Sequence, residues 1–146
     1  MTGALEGQCM CGAVSVIATP TQSYITACNC DNCKRWTGGM NFAFEADANT
    51  VRIEGPVKTI ALMPWAERGF CSKCGSGVFY RVTAQGPMKD LLKLPAGLFP
   101  DATGLPVGIE FYADERPAAF DLSHDHKTMT RAEVEALFSD NEETRR

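Results

Sequence analysis

Seven cysteines fall into three short clusters: Cys9-x-Cys11-Gly12, Cys28-x-Cys30-x-x-Cys33 and Cys71-x-x-Cys74-Gly75. Zinc holds thiolates at about 2.3 Å in a tetrahedron, so the sulfurs of one site stand under ~4 Å apart and must come from tightly turned segments. These clusters have that form. In Cys-x-Cys both side chains leave an extended segment on the same face. In Cys-x-x-Cys-Gly the backbone turns sharply and the glycine can take positive φ, a role open to both Gly12 and Gly75.

Seven ligands divide most naturally as four plus three. The two pairs followed by glycine, Cys9/Cys11 and Cys71/Cys74, make an all-cysteine site joining the N-terminal strand to the segment around Phe70. Cys28, Cys30 and Cys33 supply three ligands for a second ion and leave a fourth place for water or substrate, the division that separates structural from catalytic zinc. Three thiolates neutralise the ion less than four, so it remains the stronger Lewis acid. A lone cysteine reads as a small core hydrophobe. Three spaced clusters do not. A redox role for Cys30/Cys33 or Cys71/Cys74 is the rival, but neither pair sits in a βαβ context.

The elements that must carry these clusters are mostly strands. Period-2 alternation and β-branched or aromatic residues predict strands at 12–19, 24–28, 41–46, 51–54, 57–62 and 77–82, with a turn at Gly55-Pro56. Asp31 to Trp36 has room for a turn or so of helix. Five prolines between Gly86 and Pro117 predict ordered loops around short strands at 91–94 and 109–112. Thr130 with Glu133 is a capping box, and Val134, Leu137 and Phe138 recur at helical spacing, so a helix is expected over residues 131–139. The 146 residues fit one domain, with a core over about residues 5–122 and the helix appended. The fold class is mainly β: an antiparallel, zinc-stapled fold with a short C-terminal helix.

Composition excludes several functions. The formal charge is −4, and thiolate ligands would make it more negative. With no basic stripe, nucleic acid is not expected as a partner. No apolar run reaches the length of a membrane span, and the N-terminus lacks the basic and apolar regions of a signal peptide, so no membrane association and a cytoplasmic location are expected. There, thiols stay reduced, and an odd count suits disulfides poorly. No G-x-S-x-G elbow, P-loop or dinucleotide fingerprint occurs. The oligomeric state is not legible in the sequence.

At Gly7-Gln8-Cys9-Met10-Cys11-Gly12-Ala13-Val14, at Cys28-Asn29-Cys30-Asp31-Asn32-Cys33 with Thr37-Gly38, and at Arg68-Gly69-Phe70-Cys71-Ser72-Lys73-Cys74-Gly75-Ser76, the chain closely resembles the glutathione-dependent formaldehyde-activating enzyme family, which also includes centromere protein V. The resemblance implies two zinc ions per chain, one structural on Cys9, Cys11, Cys71 and Cys74 and one on Cys28, Cys30 and Cys33. It implies a carbon-sulfur lyase that joins a small thiol such as glutathione to formaldehyde, giving S-hydroxymethylglutathione, or runs the reverse cleavage. The chain departs from the family at Asn29, where histidine is frequent. It departs again at Ile109-Glu110-Phe111 and Pro117-Ala118-Ala119-Phe120, which stand in place of a His-Ile-aromatic strand and a Trp. The capped helix is outside the pattern.

Lys34, Arg35 and Trp36 follow the open cluster and could receive a thiol bearing carboxylates. The competing reading, favoured by the general exposure of charged residues, leaves both cations solvated and Trp36 in the core. Trp65 and Arg68 could line the same cleft, though packing for the one and exposure for the other are expected. His124 and His126, flanking Asp125, read as a solvated loop. No protein acid or base can be named from the sequence. The alternative function is a non-enzymatic zinc module for protein interaction. The fourth position of the second site discriminates: a cap from Asp31, His124 or another side chain favours the module, an open place the enzyme.

Overall fold

The computed structural model describes residues 3–122 and 125–138. Eleven strands and two helices appear there in chain order: β1 (Leu5–Gln8), β2 (Ser15–Ala18), β3 (Ile25–Cys28), α1 (Asp31–Thr37), β4 (Asn41–Ala46), β5 (Arg52–Glu54), β6 (Val57–Met63), β7 (Ala66–Cys71), β8 (Gly77–Val82), β9 (Leu92–Pro95), β10 (Val107–Phe111), β11 (Lys127–Met129) and α2 (Arg131–Ala136). Four short 3₁₀ turns fill the connections. The strands form a three-stranded sheet, β1-β2-β5, and an eight-stranded sheet, β11-β10-β3-β4-β9-β8-β7-β6.

The core lies between the sheets. On β2, Val16 and Ala18 point inward while Ser15 and Ile17 point out, the alternation of a strand with one buried face. They meet Phe44 of β4, Leu92 and Leu94 of β9, and Phe99 from the connection after β9. Phe44 and Phe99 pack edge to face with centroids 5.0 Å apart, an arrangement that adds to the area both rings bury.

The mainly β expectation holds, with particular differences. β10 pairs parallel with both β3 and β11, so the large sheet is mixed rather than purely antiparallel. Two of its strands are invisible to an alternation test. β7 (AERGFC) carries charges and a glycine, yet β6 and β8 pair it on both sides. Gly69 is required there because a Cβ would meet the Phe79 ring at 2.1 Å. β11 (KTM) is too short to show a period; its ladder with β10 and the burial of Met129 hold it.

α1 is longer than the single turn expected. Its seven residues are flanked by Cys30, whose Sγ accepts from the Cys33 N–H at 3.3 Å, and by Gly38 with φ +82°, a left-handed C-terminal stop. α2 is shorter than expected, ending at Ala136 rather than 139. Thr130 caps it through the Glu133 N–H at 3.2 Å, and Val134 is buried, but Leu137 is exposed. The expected last residue, Ser139, lies outside the described residues.

Candidate functional site

The first cysteine group sits where the β1–β2 turn meets the β7–β8 turn. Gly12 and Gly75 both have φ +80°, the conformation that lets each chain fold back around its pair of sulfurs. Cys9 and Cys11 stand 3.6 Å apart, and Cys11 and Cys71, separated by 60 residues of sequence, 3.8 Å apart. All four Sγ atoms lie within 4.8 Å of one another. The 3.6 and 3.8 Å separations are those expected between thiolates on one tetrahedral ion. The Ser76 hydroxyl, 3.1 Å from Cys74 Sγ, is the main cause holding that thiol down at about 5.

The second group lies at the end of β3 and the start of α1. Cys28, Cys30 and Cys33 also have their Sγ atoms within 4.8 Å, and among the described residues no histidine, aspartate or glutamate joins the set. His124 lies outside those residues. Sharing of protons among the sulfurs splits their acidities: Cys30 and then Cys33 push Cys28 far up, while Cys28, Cys30 and then Arg68 hold Cys33 down at about 2. Three crowded thiolates oppose one another's ionisation, and a cation among them removes that opposition. The donor set therefore suits a soft or borderline metal ion. Both groups could hold one.

Around the triad the large sheet presents one row of side chains. Ladder partners put Arg68 of β7 beside Tyr80 of β8, Tyr80 beside Lys93 of β9, and Lys93 beside Glu45 of β4. Partners across a ladder share a face. The Arg68 guanidinium stacks on Trp36 at 5.5 Å and on Tyr80 at 5.1 Å, and its Nη2 reaches Cys33 Sγ at 3.9 Å. Asn41 Nδ2 donates to the same sulfur at 3.8 Å. Lys93 Nζ sits 4.5 Å from the Phe111 ring and 3.4 Å from Thr26 Oγ1. Burial lowers the Lys93 pKa, whereas burial raises Tyr80 and Tyr112 to about 12 and keeps both phenols neutral.

A cleft of about 210 Å³ is lined by Trp36, Thr37, Asn41, Gly75, Gly77 and Pro95, of which Asn41 reaches the triad at Cys33. Trp36 is 36% exposed there rather than packed in the core. Arg35 is exposed. Lys34 is held by Asp31 at 3.8 Å and by the Glu115 carbonyl at 3.4 Å. Trp65 does not line the cleft; its carbonyl accepts from Thr83 and Ala84. Arg68, for which exposure was expected, is half-buried beside the triad.

His126 is a correction to the solvated-loop expectation. Its side chain is 7% exposed, and Nε2 lies 2.8 Å from Glu110 Oε1. Glu110, fully buried, also receives Arg116 Nη1 at 3.2 Å and Asn29 Nδ2 at 2.9 Å. Asn29 sits between Cys28 and Cys30, so this network fixes the triad loop to β10. Lys93 escaped the sequence reading because a charged residue between two buried leucines looks like a solvent-facing position, and Tyr80 and Phe111 because an aromatic residue on a strand looks like packing. Only the strand order brings them to the cysteines.

The sequence profile of the family described as glutathione-dependent formaldehyde-activating enzyme matches residues 4–115. An uncharacterised lyase of Schizosaccharomyces pombe is 25% identical over 130 residues, covering 88% of this chain and 93% of that one. A crystal structure of a Rhodobacter sphaeroides protein superposes with a TM-score of 0.54 at 17% identity, over 70% of this chain and 99% of that one. That likeness is one of fold. Among the described residues, no helix is long and apolar enough to cross a membrane.

Proposed function

The chain belongs to the glutathione-dependent formaldehyde-activating enzyme family, and from that premise we propose that it is a zinc-dependent carbon-sulfur lyase acting on adducts of a small thiol such as glutathione with formaldehyde. One observation carries the reading: three cysteine sulfurs converge beside a cleft without a fourth protein ligand among the described residues. Cys9, Cys11, Cys71 and Cys74 hold the structural zinc in this reading, and Cys28, Cys30 and Cys33 hold the second. The chain acts as one domain, and a reducing compartment such as the cytoplasm suits both sites.

A thiol has an ordinary pKa near ~8.5 and is mostly protonated at neutral pH; zinc in the triad would supply the Lewis acidity that makes it a thiolate. The remaining work falls to the chain. The cleft from Trp36 to Gly77 orients the thiol's arm, so that its sulfur and the carbonyl carbon meet with little entropy left to lose. Arg68 places positive charge beside Cys33 and so offsets the charge that thiolates accumulate. As the carbon-sulfur bond forms, the carbonyl π bond breaks and its oxygen takes up the proton that the thiol lost, giving the hydroxymethyl adduct. Cleavage is the reverse.

Thiols and formaldehyde also combine unaided, so the test is comparative. Adduct formation and breakdown are followed with wild-type protein, with Cys30→Ser and without protein, at matched zinc and pH. The expected result is acceleration by wild type alone. Equal rates in all three would remove the formaldehyde reaction from this reading.

A further inference from the structure

Two residues interleaved with the triad's cysteines are gripped from beyond the stretch that the family profile matches. That match ends at residue 115, whereas β11 and α2 occupy Lys127–Met129 and Arg131–Ala136. Asn29 stands between Cys28 and Cys30, and Asp31 between Cys30 and Cys33. They are reached from opposite ends of β11.

His126, just before β11, reaches Asn29 through a single carboxylate. Its Nε2 lies 2.8 Å from Glu110 Oε1, and Glu110 Oε2 accepts from Asn29 Nδ2 at 2.9 Å. Glu110 and Asn29 have no exposed surface, and a carboxylate so buried persists only where donors surround it. Asn29 Oδ1 has no donor among the described residues, so this side chain is anchored through Nδ2 alone.

Arg131, the first residue of α2, reaches α1. Its Nη2 stands 3.7 Å from Asp31 Oδ2, it donates to both Glu115 oxygens, and its guanidinium stacks on Tyr112 at 4.9 Å. The Glu115 carbonyl accepts in turn from Lys34 Nζ at 3.4 Å. The grip therefore takes α1 on both sides of Cys33. β11 is fixed between the two ties, because its parallel ladder sets Lys127 to Met129 against Ile109 to Phe111.

The loop so held carries three sulfurs within 4.8 Å of one another, and thiolates that close repel unless a cation joins them. Holding the residues between the ligands keeps the sulfurs converged, and outer contacts of this kind govern how firmly a metal is retained. None of these bonds runs to the four-cysteine group.

We propose that β11 and α2 form a positioning segment for the triad: His126, through Glu110 and Asn29, and Arg131, through Asp31 and Glu115, hold the loop from Cys28 to Cys33 in the shape that retains its metal. The proposal rests on the zinc reading above and gives the C-terminal segment a role that reading lacks.

The test follows zinc release from the fully loaded chain into a colorimetric chelator. The ion that Cys30→Ser fails to hold is the triad's. His126→Ala should release that ion about tenfold faster, and Arg131→Gln about threefold faster, its ion pair being partly screened, with the other ion's rate unchanged. Cobalt(II) in place of zinc reports geometry: the visible bands that Cys30→Ser abolishes should shift in both variants while the rest hold. An unchanged triad rate or unshifted bands in either folded variant overturns the proposal. So does equal quickening of both ions, since the segment would then serve general stability alone. Should His126→Ala fail to fold, Arg131→Gln, at a half-buried position, decides the matter. A wild-type chain that binds no ion at the triad sinks the zinc reading and the proposal with it, an outcome distinct from equal release by wild type and variants.

Discussion

The side-chain amide of Asn29 donates to the Glu110 carboxylate at 2.9 Å across 81 residues of sequence, and neither side chain has exposed surface. A second tie runs alongside: the Asn29 N–H donates to the Phe111 carbonyl at 3.1 Å. The loop bearing Cys28 and Cys30 is thereby bonded to β10, and through Arg116 and His126 to the segment that leads into β11. Glu110→Ala should cost about 3–5 kcal/mol, because it strands a buried amide and two cationic or polar partners at once. His126→Ala, which leaves the other two bonds intact, should cost about 1 kcal/mol. Chemical denaturation of both variants checks the order.

Metal loading should reach two zinc ions per chain, with the triad's ion released first on stepwise chelation. Three thiolates with one exchangeable position hold metal less firmly than four. Elemental analysis at each step measures it, and simultaneous release of both ions would contradict the division.

Cys74→Ser should lower the melting temperature more than Cys30→Ser. The four-cysteine group joins the β1–β2 turn to the β7–β8 turn across 60 residues, so an ion bound there would contribute folding free energy directly, whereas the triad's cysteines lie within six residues of sequence. Comparable melting curves would argue against a structural role for the first site.

Gly77→Ala should disturb the cleft. A Cβ at that position would stand 2.9 Å from Trp36 Nε1, so the indole must move, taking its stack on Arg68 with it. The expected outcome is a shifted tryptophan emission and several-fold weaker thiol binding, about 1 kcal/mol. Unchanged emission together with unchanged affinity would separate the cleft from the thiol site.

Acid should loosen the C-terminal helix. Arg131 donates to both Glu115 oxygens, at 2.5 and 2.6 Å, and these bonds lower the Glu115 pKa from its ordinary 4.5. A carboxylate with a depressed folded pKa contributes stability above its unfolded pKa, and that contribution is lost as pH falls through the folded value. Hydrogen exchange in α2 should therefore rise as pH drops below about 4.3, after correction for intrinsic rates, and the rise should vanish in Glu115→Gln. The pair is partly open to solvent, which screens it, so its effect on global stability should stay small.

What the sequence determined by itself is local. A cysteine's ligand potential is written in its spacing, and a positive-φ glycine in the turn that follows, so the gathering of the cysteines as four and three was legible, as were β4 and β8 to the residue and the capped start of α2. What only the tertiary structure decided is everything that depends on which strands become neighbours. Lys93 reads as a surface lysine until β9 lies between β4 and β8. Arg68 reads as a solvated cation until β7 pairs with β8 and sets it over Tyr80. His126 reads as loop until β11 joins β10 in parallel and brings it to Glu110. Parallel pairing and an eight-strand order follow from packing free energy summed over the whole chain, and no periodicity in one segment encodes them.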